Sequence, residues 1–541
     1  MKFRLFLLAL LLPLATRAQS ALSQVWVPDL GNGSYKNPVL YADYSDPDVV
    51  RVGSDYYLTS SSFNSAPGLQ ILHSRDLVNW TIIGAAFSQQ LPVARYNQPQ
   101  HGNGVWAPAI RYHKKEFYIY YPDPDLGLFV TKAKNPAGPW SAPVCIREAR
   151  GWIDPCPLWD EDGQAYLVHG FAGSRAGFKS VLAVSRMSSD GLSLVGDEVL
   201  VFDGHEKHPT IEGPKFYKRH GYYYIFAPGG GVSTGWQVVL RAKNVFGPYE
   251  DRIVMNQGTT PINGPHQGAW VDTPDGRQDW FLHFQDQGPY GRVVHLQPMT
   301  WRNDWPIIGE DPDGDGVGQP VLTYRKPAVR GPQPPATPAT SDEFSSAALG
   351  LQWQWHANPQ PGWAFLNQSA GMLRLYSVPL PAGAKNLWQV PNLLLQKLPA
   401  EQFMATVKLA VTPRFEGEKV GLVMMGLDYA TITLSNSGGQ LLLSQTVCKE
   451  ADKLTPETAA SAPVTVPPRQ PVYLRVTVLS GAKCRFSYSL DGKQFTPLGA
   501  EFHAREGKWI GAKMGLFYTR SGQTNDAGTA DVDWFRVEPV Q

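Results

Sequence analysis

A chain of 541 residues is too long for one ordinary core and implies roughly two to four domains. Its 48 Lys and Arg offset 47 Asp and Glu, leaving a net charge of +1. No broad field of either sign is available to gather nucleic acid or anionic lipid, so a neutral substrate fits better.

The first residues read as a secretory signal, residues 1–18. Lys2 and Arg4 make a short basic region, Leu5 to Leu14 an apolar run, and Ala15-Thr16-Arg17-Ala18 a small-residue cleavage site before Gln19. That run is too short to span a bilayer, and no later stretch approaches the length required. The expectation is a secreted or periplasmic mature protein without membrane insertion. Four cysteines, Cys145, Cys156, Cys448 and Cys484, match no metal spacing. They permit one disulfide in each half, or four free thiols.

Short runs rich in Val, Ile, Tyr and Phe then alternate with Gly, Pro, Asp and Asn, the pattern of an all-β protein. Five segments share one grammar: a small or acidic residue, a short apolar strand, a polar turn, then an aromatic strand. They begin at Asp46, Ala107, Asp154, Glu212 and Gly268, spaced by about 47 to 61 residues. Their turns fall at Gly53-Ser54-Asp55, His113-Lys114-Lys115, Asp162-Gly163, His220-Gly221 and Asp275-Gly276. A third strand follows each hairpin, as in Leu69 to Ser74 or Val238 to Ala242. A four-stranded blade needs roughly 40–50 residues plus loops. Residues 33–325 are therefore expected to form a five-bladed β-propeller; a β-sandwich with chance repetition is the alternative.

In a propeller the first strand of each blade lines the central axis, so equivalent positions converge at one end. Asp46, Asp154 and Glu212 would meet there, beside the small residues Ala107 and Gly268. Clustered carboxyl groups repel, and burial raises the pKa of at least one. Two carboxyl groups with separated pKa values are what glycosidic cleavage requires: one protonates the leaving oxygen and one activates water. Singly, each Asp-Pro pair is an ordinary turn starter; three acids at equivalent repeat positions are not.

Residues 36–325 resemble glycoside hydrolase family 43. The likeness rests on Asn37-Pro38-Val39-Leu40, Ser45-Asp46-Pro47-Asp48-Val49, Tyr56 to Phe63, His73 to Trp80, Gly104-Val105-Trp106-Ala107-Pro108, Asp154-Pro155, Glu212-Gly213-Pro214 and Gly291-Arg292. The resemblance implies an inverting enzyme with Asp46 as general base, Glu212 as general acid and Asp154 as the residue tuning and orienting that acid. For inversion the base and acid should stand roughly 6.5–9.5 Å apart. Asp48 is the main rival to Asp46, and Asp43 a weaker one. Arg292 would grip sugar hydroxyls, with a surface arginine as the alternative, and Phe63 and Trp106 would wall the first sugar subsite unless they are plain core. No cofactor is required. The resemblance implies a structural calcium on the axis held through His266 and waters, although calcium prefers oxygen ligands. A hydrogen bond from His266 to Asp154 or Glu212 is the competing reading. Asp311 to Gly316 starts like a calcium loop but lacks its closing glutamate, which leaves a polar turn.

Residues 326–340 are rich in Pro, Ala and Thr and read as a stiff linker. Residues 341–541 resume an all-β pattern, with half-buried strands in Phe403 to Leu409, Tyr473 to Val478 and Asp531 to Val537. This half, a jelly-roll β-sandwich, resembles the concanavalin-like domain appended to some family members, which packs on the propeller and shapes the pocket rim. A free-standing carbohydrate-binding module is the alternative. The expected function is exo-hydrolysis of terminal α-L-arabinofuranosyl or β-D-xylosyl residues from plant hemicellulose, the arabinosyl unit preferred. The substrate partner is thus an arabinose- or xylose-containing poly- or oligosaccharide. Endo-arabinanase action, galactan degradation, a non-catalytic glycan-binding propeller and an interaction propeller are the other readings.

Overall fold

The computed structural model describes residues 22–540, so the signal expected over residues 1–18 lies outside the described residues. The chain is almost entirely β, with two α-helices of four residues each among the described residues. No helix there is long and apolar enough to cross a membrane.

Five four-stranded antiparallel sheets, each built from contiguous chain in sequence order, make the propeller. Blade 1 runs from Asp48–Val52 to Thr81–Phe87, blade 2 from Ala109–His113 to Val144–Glu148, and blade 3 from Trp152–Trp159 to Leu194–Asp203. Blade 4 runs from Lys215–Arg219 to Glu250–Met255 and blade 5 from His266–Asp272 to Trp305–Ile308. The expected turns are visible in the backbone. Lys114 and Lys115 both take positive φ (47° and 66°), as do His220 and Gly221 (49° and 72°). Two-residue hairpins need this conformation to match the twist of their strands.

The ring is closed by pairing and packing between the first and last blades. Leu40 and Val294 exchange backbone hydrogen bonds of 3.2 and 3.0 Å. Strand Ser34–Lys36 pairs with Thr323–Arg325, at the head of the linker. Arg51 reaches from blade 1 to clasp the Asp272 carboxylate of blade 5 with two bonds of 2.8 Å.

Beyond the linker, a nine-stranded and an eight-stranded sheet form the sandwich. Strand Val472–Leu479 alternates strictly between buried and half-buried residues, the period of a sheet with one face in a core. The propeller does not stand apart from this core. Tyr41, Tyr290 and Val293 belong to the same buried cluster as Trp355, Phe403 and Leu516 of the sandwich. Polar contacts also cross the boundary. Ala66 and Trp355 exchange backbone bonds of 3.1 and 2.6 Å, the Tyr290 hydroxyl donates to the Glu401 carbonyl at 3.0 Å, and Lys513 donates to Ser65 at 2.7 Å. Burial, then repulsion from Lys513, pushes the Lys397 ammonium down to about 7. Burial likewise takes Lys513 to about 8, with Asp43 opposing the shift. All four cysteines are free thiols, Cys145 exposed and the others buried.

The shared core predicts that the propeller will not survive alone. A chain ended after residue 340 uncovers Tyr41, Tyr290 and Val293. It should be insoluble or aggregated on size-exclusion chromatography, with under about 1% of full-length activity. A soluble, fully active truncation would contradict this.

Candidate active site

The acids reach the axis through backbone strain. Asp46 and Asp154 take left-handed φ values of 54° and 58°, a conformation costing about 1–3 kcal/mol for a non-glycine residue. Each precedes a proline; Asp46 stands just before its blade's first strand and Asp154 is the third residue of its own. Blade 3 shows the deviation as a break in register between Ile153 and Cys156. In blade 4 the left-handed residue is Gly213 (φ 59°), one place after Glu212. In blade 5 it is Gln267 (φ 32°), with a register break between His266 and Gly268. The sequence alignment of repeats therefore needs one correction: Gln267, rather than Gly268, is the blade 5 residue that faces the others, because the bulge shifts the strand by one position.

Asp46, Asp154, Glu212, Gln267 and Arg292 line one hollow of about 170 Å³, together with Phe63 and Trp106. Three donors converge on Asp46. Its Oδ2 accepts from Ser45 at 2.8 Å and Ser61 at 2.6 Å, and Oδ1 accepts from the Arg292 guanidinium at 3.0 Å. Arg292 also donates to Ser45 at 2.7 Å, is 8% exposed, and packs over the Phe284 ring. It is no surface arginine.

Glu212 opens onto the hollow, with its side chain about one-third exposed. Burial, followed by the negative charges of Asp154 and Asp46, raises its pKa, and Arg292 opposes the shift. Asp154 is also raised, first by burial and then by Asp46, against the 2.8 Å hydrogen bond its Oδ2 accepts from the Gly213 amide. That amide adjoins Glu212, so Asp154 both repels a charge on Glu212 and fixes the turn that carries it.

The other acids fall elsewhere. Asp48 is fully buried, accepting from the Ile110 amide at 2.7 Å and from Arg111 at 2.6 Å, which makes it a strand-to-strand tie. Asp43 accepts from the Arg292 amide at 2.9 Å and from the Gly511 amide at 3.0 Å. It clamps the propeller to the sandwich. Asp311 pairs with Arg302 and accepts from the Gly316 amide, closing a polar turn.

His266 Nε2 stands 3.5 Å from Glu212 Oε1. Burial, then the Arg292 charge, pushes the imidazole down to about 3, and neither ring nitrogen has a hydrogen-bond partner among the described residues. These orphaned nitrogens suit water or a hydrated cation. No group of three or more His, Cys, Asp or Glu side chains suited to a metal gathers among the described residues. A calcium here would therefore take one protein nitrogen and otherwise water oxygens.

Phe63 bridges to Val105 through backbone bonds of 2.9 and 3.1 Å, holding the wall on which Trp106 follows. Trp106 is anchored by its indole N–H to the Gly102 carbonyl at 2.7 Å. Edge-on against it stands Trp509, 49% exposed, 6.4 Å from the Trp106 ring and tilted by 66° to it. Sequence reasoning expected the sandwich to shape the rim but missed this residue. Gly102 permits the approach, since a Cβ there would fall 2.7 Å from the Trp509 ring.

Comparison with known proteins agrees with this architecture. Residues 35–306 match the glycosyl hydrolases family 43, and residues 341–538 match a β-xylosidase C-terminal concanavalin A-like domain. A putative β-xylosidase of Xylanibacter ruminicola is 40% identical, over 91% of this chain and 87% of that protein. A β-xylosidase of Formosa agariphila is 33% identical over 94% of this chain and 91% of that protein. A non-reducing end α-L-arabinofuranosidase of Bacteroides ovatus is 29% identical over 94% and 95% respectively. Among solved structures, the family 43 protein BlXynB of Bacillus licheniformis superposes with a TM-score of 0.80 at 25% identity, covering 94% of this chain and all of that one. With its blades, its appended sandwich and its near full-length relatives all in agreement, the chain belongs to glycosyl hydrolase family 43.

Proposed function

We propose that the chain is an inverting exo-glycosidase that removes a single non-reducing pentosyl unit from xylan-type oligosaccharides, the β-D-xylosyl unit first and the α-L-arabinofuranosyl unit second. The observation that carries this is the convergence of three carboxyl groups and one arginine on a hollow of about 170 Å³. That is well below the ~300–1,000 Å³ of pockets for larger ligands, and it suits one sugar. The preference between the sugars moves from arabinosyl to xylosyl because two relatives above 30% identity carry the names putative β-xylosidase and β-xylosidase.

In this reading Glu212, kept protonated by burial and its acidic neighbours, donates to the leaving oxygen. Asp46 accepts a proton from the attacking water on the opposite face of the sugar. Three donors fix the orientation of the Asp46 carboxylate beside the hollow. Arg292 holds the base and offers further N–H groups to sugar hydroxyls. Asp154 sustains the raised pKa of Glu212 and steadies its turn. The calcium expected on the axis would take His266 as its protein ligand and supply positive charge there; every step above uses the chain's own groups.

Wild-type protein should hydrolyse aryl β-D-xyloside and xylobiose, releasing the inverted anomer by proton NMR. Glu212→Ala should lose about 10²–10⁴-fold on xylobiose, and far less on an aryl glycoside whose leaving group needs no proton. Failure of the wild type on both aryl xyloside and aryl arabinofuranoside would sink the proposal.

Asp154→Asn removes a negative charge beside Glu212, which then gives up its proton more readily. The alkaline limb of the kcat/KM profile should move to lower pH by about one unit, with kcat down roughly a hundredfold. An unmoved limb would exclude Asp154 as the group tuning the acid.

Trp509→Ala should raise KM for xylobiose about five- to tenfold, the effect of losing an aromatic contact worth ~1–1.5 kcal/mol, and leave kcat on aryl xyloside within about twofold. An unchanged KM would remove Trp509 from the substrate path.

A further inference from the structure

The outer face of the nine-stranded sheet carries a second hollow, also of about 170 Å³, that the catalytic reading does not use. Strand Tyr429–Ser437 turns Ala430, Ile432 and Leu434 into the sandwich core. Its alternate residues, Thr431, Thr433 and Ser435, therefore point the other way. In the neighbouring strand Gln440–Cys448, Thr446 stands directly opposite Thr431, and Ser444 opposite Thr433. Elsewhere this outer face is covered by apolar packing, with Leu387, Trp388 and Val390 against Val423 and Met425. Around Thr431 the covering stops and the hollow begins.

Thr431 and Thr433 are 1% and 4% exposed, so they are withdrawn from bulk water yet face a cavity. A sheet face sealed for stability alone would carry Val or Ile here, because buried hydroxyls lose hydration. Instead the hydroxyls form a chain: Thr433 Oγ1 donates to Thr431 Oγ1 at 2.8 Å, which lies 2.7 Å from Thr446 Oγ1. Each hydroxyl has one proton and two lone pairs, so the two buried threonines fix one end of the chain and the half-buried hydroxyls of Thr446, Ser444 and Ser435 are the ones that meet the cavity. Phe517 and Leu387 add an apolar wall, and Lys419 faces Glu457 at 3.6 Å across the lining. Lys385 also lines the hollow, from an exposed position at its rim where water screens its charge. Hydroxyls that both donate and accept, beside an apolar wall, match a sugar ring with equatorial hydroxyls and a C–H face. The volume equals that of the catalytic hollow.

We propose that this hollow is a second glycan-binding site, taking one neutral sugar unit of an oligosaccharide and holding the polymer to the enzyme away from the acids. The choice of sugar for the test rests on the proposed function; the site itself rests on the hydroxyl array.

The test titrates xylotriose into the full-length Glu212→Ala protein by calorimetry. Two sites per chain are expected. Adding Thr431→Val, Thr433→Val and Thr446→Val together, which keeps side-chain shape and removes both members of each hydrogen bond, should abolish one site or weaken its Kd at least tenfold. Ser444→Trp, which fills the cavity from its edge, should do the same. Both variants in the otherwise wild-type chain should melt within a few degrees of the parent and retain aryl xylosidase activity. If only one site is seen and the valine substitutions abolish it, this proposal stands and the catalytic reading of the sugar falls. A single site that survives them, or no binding at all, overturns the second site and leaves a hollow filled by water.

Discussion

The site depends on holding three carboxyl groups around one small hollow, two of them buried and the third partly open to it. In such a place each negative charge raises the cost of the next. The fold answers by giving the three acids unequal surroundings. Asp46 receives two hydroxyl donors and a guanidinium. Asp154 receives one backbone amide. Glu212 opens onto the hollow, with a neutral imidazole 3.5 Å away and its pKa raised by burial and by both aspartates. The asymmetry leaves Glu212 with a raised pKa beside an aspartate held by three donors, and unequal carboxyl groups are what acid–base cleavage of a glycosidic bond requires.

Propeller symmetry delivers the acids, and local deviations from that symmetry aim them. A regular first strand would send alternate side chains into the two flanking blade interfaces. Left-handed residues at Asp46, Asp154, Gly213 and Gln267 turn the chain at the axial end before each strand settles. Two of these are aspartates, and the strain persists because neighbouring hydrogen bonds over-determine the conformation. Where the acid itself is not left-handed, the adjacent residue is a glycine, and its missing Cβ leaves room for Gln267.

Much of this was legible in the sequence. Repetition marked the blades, Asp-Pro and Glu-Gly-Pro marked the turns, and strict alternation marked the sandwich strands. Resemblance added Arg292, whose burial and bond to Asp46 come from the closure of blade 5 against blade 1. Gln267 was missed by one position, because a bulge leaves no signature when the flanking residues are Gly and His. Trp509 was missed for a different reason. It sits in a sandwich loop more than 400 residues from Trp106, and nothing local distinguishes it from any exposed tryptophan. The two possible disulfides were open from composition alone. The buried thiol of Cys156 is instead engaged by Arg111 and by the Phe216 amide.

The link between Trp509 and the acids explains why the sandwich cannot be an independent appendage. The axial end of a propeller is open, and its own residues, Phe63 and Trp106, give only one side of a wall. Trp509, packed edge-on against Trp106, extends that wall from the loop that ends at Gly511, whose amide binds one oxygen of Asp43. The other oxygen binds the amide of Arg292, and Arg292 holds Asp46. Glycine is required on both sides of this clamp. A Cβ on Gly291 would lie 2.5 Å from Asp43, and one on Gly511 would lie 2.6 Å from the Gly291 amide nitrogen. Three hydrogen bonds thus join the loop that carries Trp509 to the Asp46 carboxylate. Movement of the sandwich would displace both at once, so the placing of Trp509 on the rim and the orientation of Asp46 are properties of one interdomain contact.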